Sequence, residues 1–245
     1  MERSKYILTL LILLFSMANV NAAYKSAIYN AYISNNMGQW KLVIDEMNQQ
    51  KTKDNDFLFE LVNYQYGYIG WCIDTDNDDQ AEEYLTLAEA NIEFLEKQSY
   101  KLSLVNAYKS AFYGFRIGLN VFKAPFIGPK SVACAESAMK LDDKNPYGFI
   151  QYGNSQFYMP SAFGGSKTVA LAYFTKARLL METDEDQMKE DWNYLTLLSM
   201  IAKAHTELKD YAAAKDCYEK ILRIEPDMLW VKNELYPELL NKINQ

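Results

Sequence analysis

The sequence predicts an all-α protein made of helical hairpins stacked side by side, and three observations carry that reading. Leu198 to Pro226, LSMIAKAHTELKDYAAAKDCYEKILRIEP, reads as two short amphipathic helices joined by a polar turn. Looser versions of the same unit recur upstream, with small and large residues at similar spacings. Period-two alternation is absent over any useful length, so β structure has little support.

Taken in order, the first pair spans Ala23 to Gln50. Ala27, Ala31 and Tyr32 share one helix face, Gly38 allows the turn, and Trp40, Val43, Ile44 and Met47 recur at three- and four-residue spacing on the next helix. The second pair begins with Phe57 to Ile73, FLFELVNYQYGYIGWCI, apolar on most of its circumference as a helix sandwiched between neighbours must be. Asp74 to Asp79 is its turn, and Ala81, Leu85 and Ala88 mark its second helix.

The third pair opens with a long helix from Ser99 to Phe122 carrying Leu102, Val105, Tyr108, Phe112 and Phe115. Pro125 and Gly128-Pro129 are expected to break it, with Ser131, Ala135 and Ala138 on its partner. The fourth starts at Pro146, a good first-turn proline, runs through Gly153 and resumes with Ala170, Phe174 and Ala177. Its turn is long: Gly153 to Ala170 spans 17 positions, against 12 from Ala202 to Ala214 in the fifth pair, because MPSAFGG intervenes. Beyond Pro226, Leu229, Trp230, Leu235, Leu239 and Leu240 supply a capping helix for the exposed apolar end, kinked or broken at Pro237.

The first 22 residues, MERSKYILTLLILLFSMANVNA, have Arg3 and Lys5, then an apolar run from Tyr6 to Phe15, then small residues ending at Ala22. That pattern is a secretory signal, its core shorter than the ~20 residues of a spanning helix, with an uncleaved anchor as the alternative. Cleavage after Ala22 leaves residues 23–245 as one continuous domain in the periplasm or outside the cell, with no stable membrane insertion and no cysteine positioned for lipidation. The chain has 25 basic and 32 acidic residues, a formal charge of −7, and loss of Arg3, Lys5 and Glu2 makes the body one unit more negative. That balance argues against nucleic acid and anionic membrane surfaces, which need basic patches. Cys72, Cys134 and Cys217 are an odd number at wide spacing and read as small core residues, with redox or disulfide roles as the alternative.

Catalytic and metal motifs do not assemble. Asp74-Thr75-Asp76-Asn77-Asp78-Asp79 begins like a calcium loop, but Asp79 stands where Gly is needed and Leu85 where a bidentate Glu is needed, so it reads as a helix-capping acidic turn. Gly164-Gly165-Ser166-Lys167-Thr168 lacks the spacing and preceding strand of a phosphate loop, and fits a glycine turn with Ser166 as N-cap. His205 is the only histidine and falls in a register that packs between helices. Ser137-Ala138-Met139-Lys140 has no companion motif. No cofactor is expected, and no enzyme.

Leu198, Ile201-Ala202, His205, Ala214, Tyr218, Ile221 and Pro226 lie at the spacings of the tetratricopeptide repeat (TPR), which this stretch resembles, with His205 replacing Tyr and Ile221 replacing Ala. The resemblance implies a right-handed superhelix of about five helix–turn–helix pairs plus the capping helix, monomeric and elongated, each pair burying its faces only against adjacent pairs. The GYIGW, NPYG, MPSAFGGSK and WVKNELYP stretches are also similar to a group of exported Bacteroidetes-type TPR proteins. Such a fold implies a protein or peptide partner held on the concave face of the first helices. By the repeat's register that face carries Asn154 after Gly153 and Lys203 after Ala202, then Tyr147 and Ile150 one turn back, and Tyr66 in the second pair. The alternative is a small-molecule carrier, since the FGG turn and following helix are loosely similar to the TPR-like periplasmic components of TRAP transporters.

Overall fold

The computed structural model describes residues 22–186 and 188–244, which contain helices and no strand. Residues 22–33 form α1, followed by α2 (Met37–Gln49), α3 (Asn55–Asp74), α4 (Asp78–Lys97), α5 (Leu102–Leu119) and α6 (Ala124–Leu141). Then come α7 (Pro146–Tyr158), α8 (Lys167–Met181), α9 (Trp192–Glu207), α10 (Tyr211–Ile224) and α11 (Tyr236–Ile243). Consecutive helices pair into five hairpins with α11 at the end, the all-α TPR-like solenoid that the sequence predicts. Apart from Ala22, the expected signal segment lies outside the described residues.

Short polar side chains start the helices. Asp54 accepts from the Phe57 amide at 2.8 Å, Asn145 from Tyr147 at 3.0 Å, Asp191 from Asn193 at 2.9 Å, and Ser166 from Val169 at 3.3 Å, each satisfying a first-turn donor that has no partner within the helix. Small residues set the crossings. Ala81, Ala88, Ala135, Ala138, Ala170, Ala177, Ala202 and Ala214 are all fully buried. At Gly153 no side chain fits, because an added Cβ would lie 2.6 Å from the Phe174 ring.

Three of the five intra-hairpin turns share one design. Asn35, Asp76 and Lys209 adopt left-handed φ values of 53°, 57° and 61°. The amide of the next residue then reaches back to the helix, from Asn36 to the Ala31 carbonyl at 2.8 Å, Asn77 to Cys72 at 2.8 Å, and Asp210 to His205 at 2.9 Å. This left-handed cap closes a helix in the fewest residues. Pairs three and four use longer turns, each with a single 3₁₀ turn, Val121–Lys123 and Ser161–Phe163.

The prolines behave differently from the sequence expectation. The long helix ends at Leu119, where extended Asn120 turns the chain, and not at Phe122. Pro125 then sits in the first turn of α6, which needs no amide donor there, and Pro129 is carried inside that helix. Pro237 does not end the terminal helix. A π-helical segment, Val231–Leu235, precedes it and leads straight into α11, with Pro237 in the first turn.

Contact between adjacent pairs alone also needs correction. Pair one packs on pair five: the Ser26 hydroxyl donates to Glu190 at 2.9 Å, Tyr29 to Glu225 at 3.0 Å, and Tyr32 and Thr196 share a 2.8 Å hydrogen bond. Between the two pairs the Tyr32, Trp40 and Trp192 rings interlock.

Candidate functional site: the concave face

The first helices α3, α5, α7 and α9 converge on a chain of aromatic rings. Tyr66 stacks on Phe115 with centroids 5.4 Å apart, meets Tyr108 edge-on at 5.8 Å and lies 6.2 Å from Trp192. Tyr108 continues to Tyr147 at 6.0 Å and donates its hydroxyl to Asn63 at 3.0 Å. The Tyr66 hydroxyl is within reach of the Gln151 and Asn154 side chains, and Asn154 donates to the Gln151 carbonyl oxygen at 3.1 Å. Burial pushes the Tyr66, Tyr108 and Tyr147 hydroxyls up from their ordinary pKa, so they stay protonated as hydrogen-bond donors. Two buried N–H donors here, Gln151 Nε2 and Trp192 Nε1, have no acceptor among the described residues.

One end of this face opens as a pocket of about 430 Å³. Phe59, Tyr108 and Tyr147 form its aromatic wall, and Lys25, Asp56, Glu60, Asn63 and Lys101 form its rim. Lys101 lies 2.6 Å from Asp56, which also accepts from Tyr100 at 2.7 Å, and the two donors hold the Asp56 carboxyl below its usual range. Behind the rim, burial drives the Asp191 carboxyl up, partly opposed by the hydrogen bonds from Asn193 and the charge of Lys25. The site offers donors, acceptors and charges of both signs around an apolar floor. It has no adjacent nucleophile and base.

A family model described as Tetratricopeptide repeat matches residues 195–228, the hairpin of α9 and α10. The HusA haemophore of Porphyromonas gingivalis has a similar fold, with a TM-score of 0.63 at 16% identity, covering 78% of this chain and 93% of that one. A TPR protein of Thermus thermophilus covers 95% of this chain and 96% of its own at a TM-score of 0.51 and 15% identity. The family likeness is thus confined to one hairpin, and the rest of the chain shares the fold. At these identities the likenesses carry the fold alone, and no curated protein matches the sequence.

In this fold the five residues expected on the concave face do not form one cluster. Tyr147 lines the pocket. Tyr66 and Asn154 meet through Gln151 in the packed floor, and Ile150 is in the core at 8% exposure. Lys203 is exposed elsewhere, its ammonium 5.9 Å and 5.8 Å from the Phe157 and Tyr158 rings. The rim residues Lys25, Glu60, Asn63 and Lys101 were not expected. A signal for two of them was present, because stepping back from Tyr66 by one turn reaches Asn63, and by two turns Phe59 and Glu60, as the same step links Asn154 to Ile150 and Tyr147.

The remaining candidates have structural surroundings. Asp76 is the left-handed residue of a tight turn, and Gly164, at φ 97°, and Gly165 shape the turn that Ser166 caps. His205 Nδ1 lies 3.1 Å from Asp210. The three cysteines are free, and burial pushes the Cys72 thiol up to about 11, away from the reactive thiolate.

Proposed function

We propose that this protein is exported, loses residues 1–22, and acts as a monomeric, non-catalytic TPR scaffold that binds a peptide segment of a protein partner at the concave face. The observation that supports it is the pocket, where an aromatic wall meets a rim of both charges. An extended peptide presents backbone N–H and C=O groups with an occasional apolar side chain. Asn63, Lys25 and Glu60 can meet the polar groups, and Phe59, Tyr108 and Tyr147 can take the side chain. Of the residues marked by the repeat register, Tyr147 contacts the peptide, Tyr66, Ile150 and Asn154 hold the floor beneath it, and Lys203 extends the face at its far end.

A random-peptide selection against the purified protein tests this reading. Selected peptides are expected to lose binding to a Tyr147→Ala, Glu60→Ala variant that still folds. Peptides that bind that variant as well as wild type would place the site elsewhere.

The same pocket favours a second reading, small-molecule capture, because its volume falls within the range of about 300–1,000 Å³ typical of ligand sites. The fold it shares with a haemophore makes haemin the first probe. Titration should give a saturable shift of the haemin absorbance that Tyr147→Ala reduces, and the absence of any shift would remove haem from this reading.

A further inference from the structure

The two long turns hold apolar side chains out in water. At the α5–α6 turn Phe122 is 85% exposed, Phe126 76% and Val121 67%; at the α7–α8 turn Phe163 is 77% exposed and Tyr158 63%. These turns are firmly built. The Phe122 amide donates to Asn120 Oδ1 at 3.1 Å, the Gly165 amide to the Pro160 carbonyl at 3.2 Å, and the Ser166 amide to the Gln156 carbonyl at 3.0 Å. The Lys167 ammonium donates to the Phe157 carbonyl and covers that ring at 3.8 Å. Neighbouring pairs in a stack bring their turns to the same edge, so the rings of pairs three and four are presented on one side of the molecule.

The two hairpins that carry these turns reverse the charge of the chain as a whole. Residues 97–181 hold eleven Lys and Arg against three Asp and Glu, in a protein of net charge −7. Lys97, Lys101, Lys109 and Arg116 are engaged by carboxylates of α3 and α4. Lys123 and Lys130, both exposed, form no ion pair among the described residues, and Lys130 stands one helical turn from Phe126.

We infer that this edge docks on an anionic lipid surface, with the Phe122, Phe126 and Phe163 rings entering the headgroup–acyl boundary and Lys123 and Lys130 meeting lipid phosphates. Rings on the tips of two convex turns suit a flat, deformable surface that takes both at once, whereas a folded partner needs a matching pit for each. No helix among the described residues is long and apolar enough to cross a membrane, so the contact is peripheral. The whole-chain charge conceals this edge because the acidic residues lie mostly in the other pairs. The acidic turn of pair two borders it, with Asp74 acting on the Tyr158 hydroxyl, so the contact tilts onto pairs three and four.

Co-sedimentation with vesicles of phosphatidylcholine, alone or mixed with phosphatidylglycerol, tests the docking. Exported wild-type protein and a Phe122→Ser, Phe126→Ser, Phe163→Ser variant are compared, so a retained leader contributes equally to both. Wild type should bind the mixed vesicles, more weakly in high salt, and the triple variant on the order of tenfold less or worse, with its helical dichroism unchanged. Lys123→Glu with Lys130→Glu should remove the preference for phosphatidylglycerol. Equal binding by wild type and the triple variant, or none by wild type, would overturn the inference.

Discussion

Trp40 in the first hairpin and Trp192 in the fifth meet edge to face, their centroids 4.9 Å apart and their planes at 80°. Gly67, from the second hairpin, lies against both, and a Cβ built on it would fall 2.7 Å from an atom of each indole. The first two hairpins and the distant fifth thus share one contact. A solenoid whose pairs touch only their neighbours unfolds as a nearly additive series, and a bond between its ends removes that independence.

Trp192→Ala should therefore cost about 3–5 kcal/mol, as loss of a buried aromatic does, and should also loosen α1 across the molecule. Urea denaturation gives the cost, and amide exchange of residues 22–33 reads the coupling. A small cost with full protection of α1 would show that the hairpin ends are not coupled.

Ala214 is fully buried at the crossing of α9 and α10, while Ala212 is exposed on the same helix. Ala214→Leu should overpack the crossing and cost on the order of 1–3 kcal/mol, and Ala212→Leu should cost far less. Equal denaturation midpoints for the two variants would contradict this packing.

The fold was legible wherever the hairpin follows its common design. Ala170, Phe174 and Ala177 in one helix, and Ala214, Tyr218 and Ile221 in another, are buried as their spacing requires. The end of α5 was not, because Phe122 continues the apolar pattern that stops being packed at Leu119, and nothing local distinguishes an aromatic in the core from one held in solvent. The closure of pair one on pair five was also out of reach, since Tyr32 and Thr196 are 164 positions apart and periodicity reports only a helix's own faces. For the candidate site, the repeat register marks positions along the first helices and not how they pack. Which part of the concave face stays open depends on ring packing, which fills the surroundings of Tyr66 and leaves Tyr147 at a pocket.

Asp191 gives a pH-dependent outcome. Burial raises its pKa in the folded protein above the unfolded value, so the folded state favours the protonated form. This group's contribution is fully present below the unfolded pKa and is lost as pH rises through the folded one. Asp191→Asn keeps the cap on α9, because an amide oxygen can also accept from the Asn193 amide, and removes the charge. The variant should unfold at higher urea than wild type at neutral pH, and the gap should narrow in acid. A gap that is constant with pH, or a less stable variant, would mean that the carboxylate is well solvated in place.

The last outcome separates the two ends of the concave face. Lys25 and Glu60 stand on the rim of the pocket, and neither is needed to fill the core. Lys203 is exposed on the side of Phe157 and Tyr158, and Asn154 is tied to Gln151 beneath Tyr66. With a peptide obtained by selection, Lys25→Ala and Glu60→Ala together should weaken binding by about 1–3 kcal/mol and leave the unfolding midpoint nearly unchanged, because rim groups act on the bound partner more than on the fold. Asn154→Ala with Lys203→Ala should weaken it less, since only Lys203 is open to solvent and it lies away from the pocket. Fluorescence anisotropy of the labelled peptide measures both. If the Asn154 and Lys203 pair proved the more damaging, the peptide would lie along the far end of the face, and the pocket would be left to a smaller ligand.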